Sequence, residues 1–127
     1  MLLEVLIAFA IATLALGVMI GAAAGALRAT QTAAHVTEAT VRAQSRLAEA
    51  VNGGKLIPGE WEGADGGIYR WRVRVTQTAG AAPQPADSAA AAQRLYAVSV
   101  WIAWRDGGRS RDVRLDTEAI GEAIHTP

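Results

Sequence analysis

VLIAFAIATLALGVMIGAAAGAL, residues Val5–Leu27, is a run of 23 residues without a charge, and the only side chain in it that can form a hydrogen bond is that of Thr13. At about 1.5 Å of rise per residue a helix of this length spans roughly 34 Å, enough to cross a hydrocarbon layer about 30 Å thick. The run therefore predicts a membrane-spanning helix. A cleaved secretory signal also has an apolar core, but that core is ordinarily about 7–15 residues long, follows basic residues and ends at a small-residue cleavage site. Here the run is longer and no Lys or Arg precedes it, which favours a retained helix.

The rest of the 127-residue chain is different in kind. All 12 basic residues and every acidic residue except Glu4 lie beyond the run, in near balance. Such a balance offers no electrostatic case for nucleic acid as a partner. Cysteine is absent, which excludes disulfides and thiolate metal sites.

A helical pattern continues past Leu27, because Ala33, Val36, Thr40, Gln44, Leu47 and Val51 recur every three or four residues while Glu38, Arg42, Arg46 and Glu49 fall elsewhere. No proline interrupts the chain before Pro58, and Asn52-Gly53-Gly54 tolerates left-handed backbone, a stop signal for a helix ending near Val51. One helix of about fifty residues is expected, apolar all round in its first half and striped in its second. The stripe needs a partner surface.

Strands supply it. From Ile68 to Thr76 the chain alternates, with Tyr69, Trp71, Val73 and Val75 on one face and Arg70, Arg72, Arg74 and Thr76 on the other. From Leu95 to Arg105, Tyr96, Val98, Val100, Ile102 and Trp104 oppose Ala97, Ser99, Trp101 and Ala103. Asp106-Gly107-Gly108 is a turn signal, and Arg109–Thr117 alternates again, so the last two runs predict an antiparallel hairpin. The fold class is α+β: a long N-terminal helix packed on a small antiparallel sheet of three or four strands. The expected division is 1–27, a transmembrane and assembly half-helix; 28–52, an amphipathic half-helix; and 53–127, a sheet domain. Within the last, 79–92 reads as an Ala/Pro loop, and 53–67 as a turn-rich loop anchored to the core by Trp61.

The opening Met1-Leu2-Leu3-Glu4-Val5-Leu6-Ile7-Ala8-Phe9-Ala10 resembles the N-terminus shared by type IV pilins and type II secretion pseudopilins, where one glutamate sits near the start of an apolar helix. Further along, Arg46-Leu47-Ala48-Glu49, Trp61-Glu62-Gly63 and Tyr69-Arg70-Trp71-Arg72-Val73 are similar to minor pseudopilins of the I subclass. The resemblance covers most of the chain and implies a pilin-like fold. In the family a basic leader ending in glycine is removed by prepilin peptidase, the new amine is methylated, and glutamate is the fifth mature residue. Glu4 is the fourth here, an offset expected if the start is assigned too late or a residue of the mature end is missing.

The resemblance also implies a function: a structural, non-enzymatic minor pseudopilin of the type II secretion pseudopilus, helping to initiate or cap its tip. It would be a single-pass protein of the bacterial inner membrane with its C-terminal domain in the periplasm. The implied partners are other minor and major pseudopilins, the inner-membrane secretion platform, prepilin peptidase and membrane lipid, with no nucleic acid. Two alternatives stay open: a minor pilin of a type IV pilus or DNA-uptake machine, and a single-span anchor carrying a periplasmic binding domain.

Two sets of residues are candidates for assembly. An ionised carboxylate at Glu4 is unfavourable at the edge of hydrocarbon unless it finds a partner. By resemblance that partner is the N-terminal amine of a neighbouring subunit; by residue chemistry alone, snorkelling into the headgroup region serves as well. Gly17, Gly21 and Gly25 form two overlapping small-xxx-small steps that let another helix approach closely, although general Ala/Gly richness explains them equally. The Arg70, Arg72, Arg74 ladder reads as a solvent face, since Trp71 points to the opposite side and cannot stack bases beside it. Of Trp101 and Trp104, on opposite faces of one strand, one belongs to the core and the other is free for a protein contact. His35 and His125 lie in different segments, and Asp112 and Asp116 sit in a strand pattern without clustered oxygen ligands. No catalytic, cofactor or metal site is therefore assigned.

Overall fold

The structure is a computed structural model that describes residues 1–53, 56–78 and 93–122. In chain order it contains helix α1 (Leu2–Asn52) and strands β1 (Gly59–Ala64), β2 (Arg70–Gln77), β3 (Gln93–Asp106) and β4 (Arg109–Glu122). The chain divides into two compact units, Met1–His35 and Val36–Pro127. The sequence-predicted loop at 79–92 lies outside the described residues.

The first unit is helix alone. It is rich in Ala and Leu, which lose little on entering a helix, and it has no proline. Its most apolar window is wholly exposed in the single chain and is long enough to cross a membrane. The hydroxyl of Thr13 donates to the Ala10 carbonyl at 2.9 Å, so the one polar side chain of the run is satisfied within its own helix.

In the second unit the helix packs on an antiparallel sheet of order β1-β2-β3-β4. The core is the inner face of the strands: Val73 and Val75 of β2, Tyr96, Val98, Val100, Ile102 and Trp104 of β3, and Ala119 of β4, closed by Tyr69, Leu56, Ala39 and Ala43. Alternation in β2 and β3 divides the residues between faces as the sequence predicts. Val98, Val100 and Ile102 are fully buried, and each such side chain contributes about 1.5–3 kcal/mol relative to exposure.

The helix stripe differs from expectation. Ala39 and Ala43 are fully buried, flanked by half-buried Leu47, Ala50 and Val51, whereas Ala33, Val36 and Gln44 are exposed. The reason is close approach: alanine at 39 and 43 lets the helix backbone come near the sheet, and the larger side chains at 36 and 41 are left outside. The helix stop also works differently at Gly53, whose φ is not positive. A β-carbon there would stand 2.9 Å from the Glu49 carbonyl oxygen, which already accepts the Gly53 N–H at 3.0 Å.

Two strand boundaries are corrected. The segment read as a loop anchored by Trp61 contains β1, paired with β2 from Gly59↔Val75 to Ala64↔Arg70. Trp61 is on that strand but 44% exposed, so it is not a core anchor. β4 runs to Glu122 rather than Thr117, because Glu118–Glu122 continue to pair with Gln93–Ala97. The β3–β4 hairpin is as expected: Asp106 pairs with Arg109, and Gly107 and Gly108 have φ of 56° and 83°. Positive φ at both central residues is a type I′ turn, whose twist matches the strands it joins.

Candidate assembly surface and sheet clasp

Glu4 lies in the first turn of α1, where the partial positive charge of the unpaired amides favours a carboxylate. It is exposed and forms no ion pair among the described residues. Gly17, Gly21 and Gly25 are also exposed, and a β-carbon at any of them would meet nothing within 4 Å in the isolated chain. Four-residue spacing aligns these glycines along one face of the helix, and Glu4 stands at least thirteen residues, roughly 20 Å, away from them. The structure does not bring the two candidate sets together. Each is an open surface of the first unit.

The second unit carries a feature that the sequence reading placed on the solvent side. Asp65, at the start of the β1–β2 turn, is ion-paired with Arg46 and lies 3.6 Å from Arg42, one helical turn earlier. Each arginine also covers an aromatic ring on the sheet. The Arg42 guanidinium carbon is 4.7 Å from the Tyr69 ring centroid and that of Arg46 is 4.5 Å from the centroid of Trp71. Glu38 completes the set, accepting from Arg42 at 2.8 Å and from the Tyr69 hydroxyl at 3.2 Å.

The electrostatics follow from that geometry. The hydrogen bond to Glu38 raises the pKa of Arg42, and the bond to Asp65 raises that of Arg46, so both remain cations. Burial, then the bond to Glu38, pushes the Tyr69 hydroxyl above its ordinary value of 10.0, so Tyr69 stays a neutral donor. Two arginines four residues apart thus fit two aromatics two residues apart, Tyr69 just before β2 and Trp71 within it, and a carboxylate at the preceding turn. That spacing was available in the sequence: residues i and i+4 of a helix match i and i+2 of a strand in rise, about 6 Å in each case.

On the outer face of the sheet, Arg72 pairs with Glu60 at 3.3 Å and Glu62 at 3.2 Å, and Arg74 with Glu60 at 2.9 Å. β1 therefore neutralises two rungs of the arginine ladder. Trp101 lies half-buried between Arg74 and Arg114, whose guanidinium carbons are 5.3 and 4.9 Å from its ring. Asp116 accepts from Ser99 at 2.5 Å and Arg114 at 2.9 Å, and its pKa is lowered, with the Arg114 bond the larger cause. Trp104, by contrast, is in the core, and its indole N–H has no hydrogen-bond partner among the described residues. Among the described residues no group of three or more His, Cys, Asp or Glu could hold a metal ion. His125 lies outside them.

The sequence matches no family model, and no solved structure matches it. It is 40% identical over 75 residues to type II secretion system protein I of Xanthomonas campestris pv. campestris, a match covering 58% of this chain and 54% of the relative. The chain is similar to a type II secretion system protein I. It spans about half the length of the curated relative it matches. The long apolar helix and the four-stranded antiparallel sheet have the α+β arrangement of a pilin-like fold. The same helix, taken with a secretion-system relative, supports a membrane-anchored chain with a soluble domain.

Proposed function

We propose that this chain is a minor pseudopilin, a structural subunit of a type II secretion pseudopilus that helps to initiate or cap its tip. The observation that carries the reading is an exposed apolar helix with one acidic residue in its first turn, in a chain similar to a secretion-system protein I. The helix is anchored in the bacterial inner membrane and the sheet domain lies in the periplasm. Residues 1–27 are the assembly half of the helix, 28–52 carry the sheet, and 53–127 form the domain seen by neighbouring subunits.

Assembly is a matter of compensating Glu4. A carboxylate drawn into a bundle of apolar helices is unfavourable by several kcal/mol unless a cation meets it. The amine of an adjacent helix, freed and methylated after prepilin peptidase cleavage, supplies that cation only when the helices are in register. Gly17, Gly21 and Gly25 let the backbones close up beside it. Other pseudopilins and the inner-membrane platform are the partners this mechanism requires, and the role is structural rather than enzymatic.

The test is co-purification from membranes. Glu4→Ala should leave the protein in the membrane and reduce its recovery with partner subunits by tenfold or more. Unchanged recovery of secretion subunits with Glu4→Ala removes the proposed role of the carboxylate. Recovery of pilus subunits with a retraction motor would point instead to a minor pilin.

A further inference from the structure

The arginines of the folded unit are not alike. Arg42, Arg46, Arg72, Arg74, Arg111 and Arg114 all have carboxylate partners, and Arg94, at the far end of the sheet, donates to the Gln77 side chain at 3.2 Å. Arg70, Arg105 and Arg109 are exposed and have no ion pair among the described residues. Register places these three at one end of the sheet. Arg70 opens β2 opposite Ala103, and Arg105 pairs with Ser110 beside the Gly107-Gly108 turn, which Arg109 leaves. An open cleft of about 460 Å³ lies there, floored by Ala103 and Ser110, walled by Arg70 and Arg105, and flanked by Ile68, which is 47% exposed. Asp112, opposite Ala103 one rung further in, is a neighbouring carboxylate and leaves the end with a net positive charge.

This end is also the one at which the chain enters the unit. Tyr69 bonds to Glu38, and Asp65 to Arg42 and Arg46, so the two glycine turns stand at the first turns of the unit's helix, while Gly121 and Leu56 meet at the opposite end. Val36, where the unit begins, is nine residues after Leu27, the last residue of the apolar run. We propose that the Arg70, Arg105 and Arg109 end of the sheet docks on the anionic lipid headgroups of the membrane that holds the helix, with Ile68 dipping among them. Cationic groups near an anionic leaflet are attracted by its surface potential, about five-fold in partition for each arginine. Guanidinium forks suit phosphate oxygens, and the cleft gives a phosphate room between Arg70, Arg105 and the Ser110 hydroxyl. The docking would hold the domain down on the membrane before assembly.

The inference rests on membrane anchoring, and the experiment separates the two. The chain has no cysteine, so Ala64→Cys, exposed opposite Arg70 and outside the cleft, carries a single fluorophore at the basic end and Gln77→Cys one at the far end. The labelled full chain is placed in nanodiscs of phosphatidylcholine alone or with about one-third phosphatidylglycerol, and quenching by a headgroup-attached quencher is read. The label at 64 should be quenched strongly only in anionic discs and that at 77 in neither. Raising salt from 0.1 M to 1 M, which shortens the screening length from about 10 to about 3 Å, should release the label. R70Q/R105Q/R109Q should release it too, with a fall in the docked fraction of up to about a hundredfold. Equal quenching in neutral and anionic discs, or quenching indifferent to salt, overturns the proposal; both are read on the unsubstituted arginines, so a poorly folded triple variant does not obscure the result. Failure of the chain to enter either disc overturns the anchoring as well.

Discussion

Trp71 lies against Gly63 so closely that a β-carbon at position 63 would stand 2.6 Å from its ring, whose centroid is 4.5 Å from the Arg46 guanidinium carbon. The glycine is therefore a seat for the indole. Gly63→Ala should displace Trp71 and disturb the Arg46–Asp65 pair, destabilising the fold by about 1–3 kcal/mol. Chemical unfolding of the detergent-solubilised chain checks this, and Trp71→Ala in the same molecule should remove most of the added penalty. An unchanged midpoint for Gly63→Ala would show that the seat is not tight.

Asp65 holds two arginines whose side chains are each about 30% exposed. Solvent screening limits what such pairs contribute, so Asp65→Asn should reduce global stability by no more than about 1 kcal/mol. Its local effect should be larger. Amide exchange at Gly66, Gly67 and Ile68 is expected to accelerate while β3 stays protected, because only the turn loses its tether to the helix.

Tyr69 gives the stability an alkaline edge. Its folded-state pKa is raised, so the folded state holds the phenolic proton more tightly than the unfolded chain. The stabilisation is fully present below the ordinary tyrosine value of 10.0 and is lost as pH rises through the higher folded value. Unfolding free energy followed from pH 8 upward should fall above about 10, and Tyr69→Phe should flatten that fall while lowering stability at neutral pH through loss of the bond to Glu38.

The helix stripe is tested by size. Ala43 is fully buried whereas Val41, two residues before it, is 59% exposed. Ala43→Leu should force the helix away from the sheet and lower stability by about 1–3 kcal/mol, while Val41→Ala changes it by less than about 0.5 kcal/mol. Thermal unfolding of both variants decides between this face and the one through Val36 and Gln44.

Gly21 is the centre of the three-glycine face. Gly21→Leu should weaken self- or partner-association of the apolar segment in a membrane reporter by about 1 kcal/mol or more, since a leucine there holds the neighbouring backbone off. Equal association would assign the glycines to general composition.

The elements with strong periodicity were legible in the residues. Alternation at Trp71–Val75 and Tyr96–Trp104 assigned each side chain to its face, and Asp106-Gly107-Gly108 marked the hairpin. β1 was not legible, because Gly59-Glu60-Trp61-Glu62-Gly63 has glycine where an inner-face hydrophobe would announce a strand, and those glycines exist to admit Trp61 and Trp71. The stripe was misplaced for a related reason: apolar periodicity favours bulky residues, while close packing selected Ala39 and Ala43. The clasp was hidden because Arg42 and Arg46 read as solvent charges until the aromatic rings beneath them were placed. Glu4 and the glycine steps stood out in the residues as the lone charge and the smallest side chains of the first 27 positions.

Among the described residues β4 leaves one side of its fourteen-residue backbone without a strand neighbour, and Arg109, Arg111, Asp112, Arg114, Asp116 and Glu118 are distributed along it. Bare strand margins invite stacking into fibres, and alternating charges of both signs discourage it by leaving an incoming strand with mismatched, water-loving neighbours. Copies of the chain are in this way dissuaded from joining sheet to sheet. In the assembly proposed above, polymerisation falls to the apolar helix rather than to the edge of the sheet.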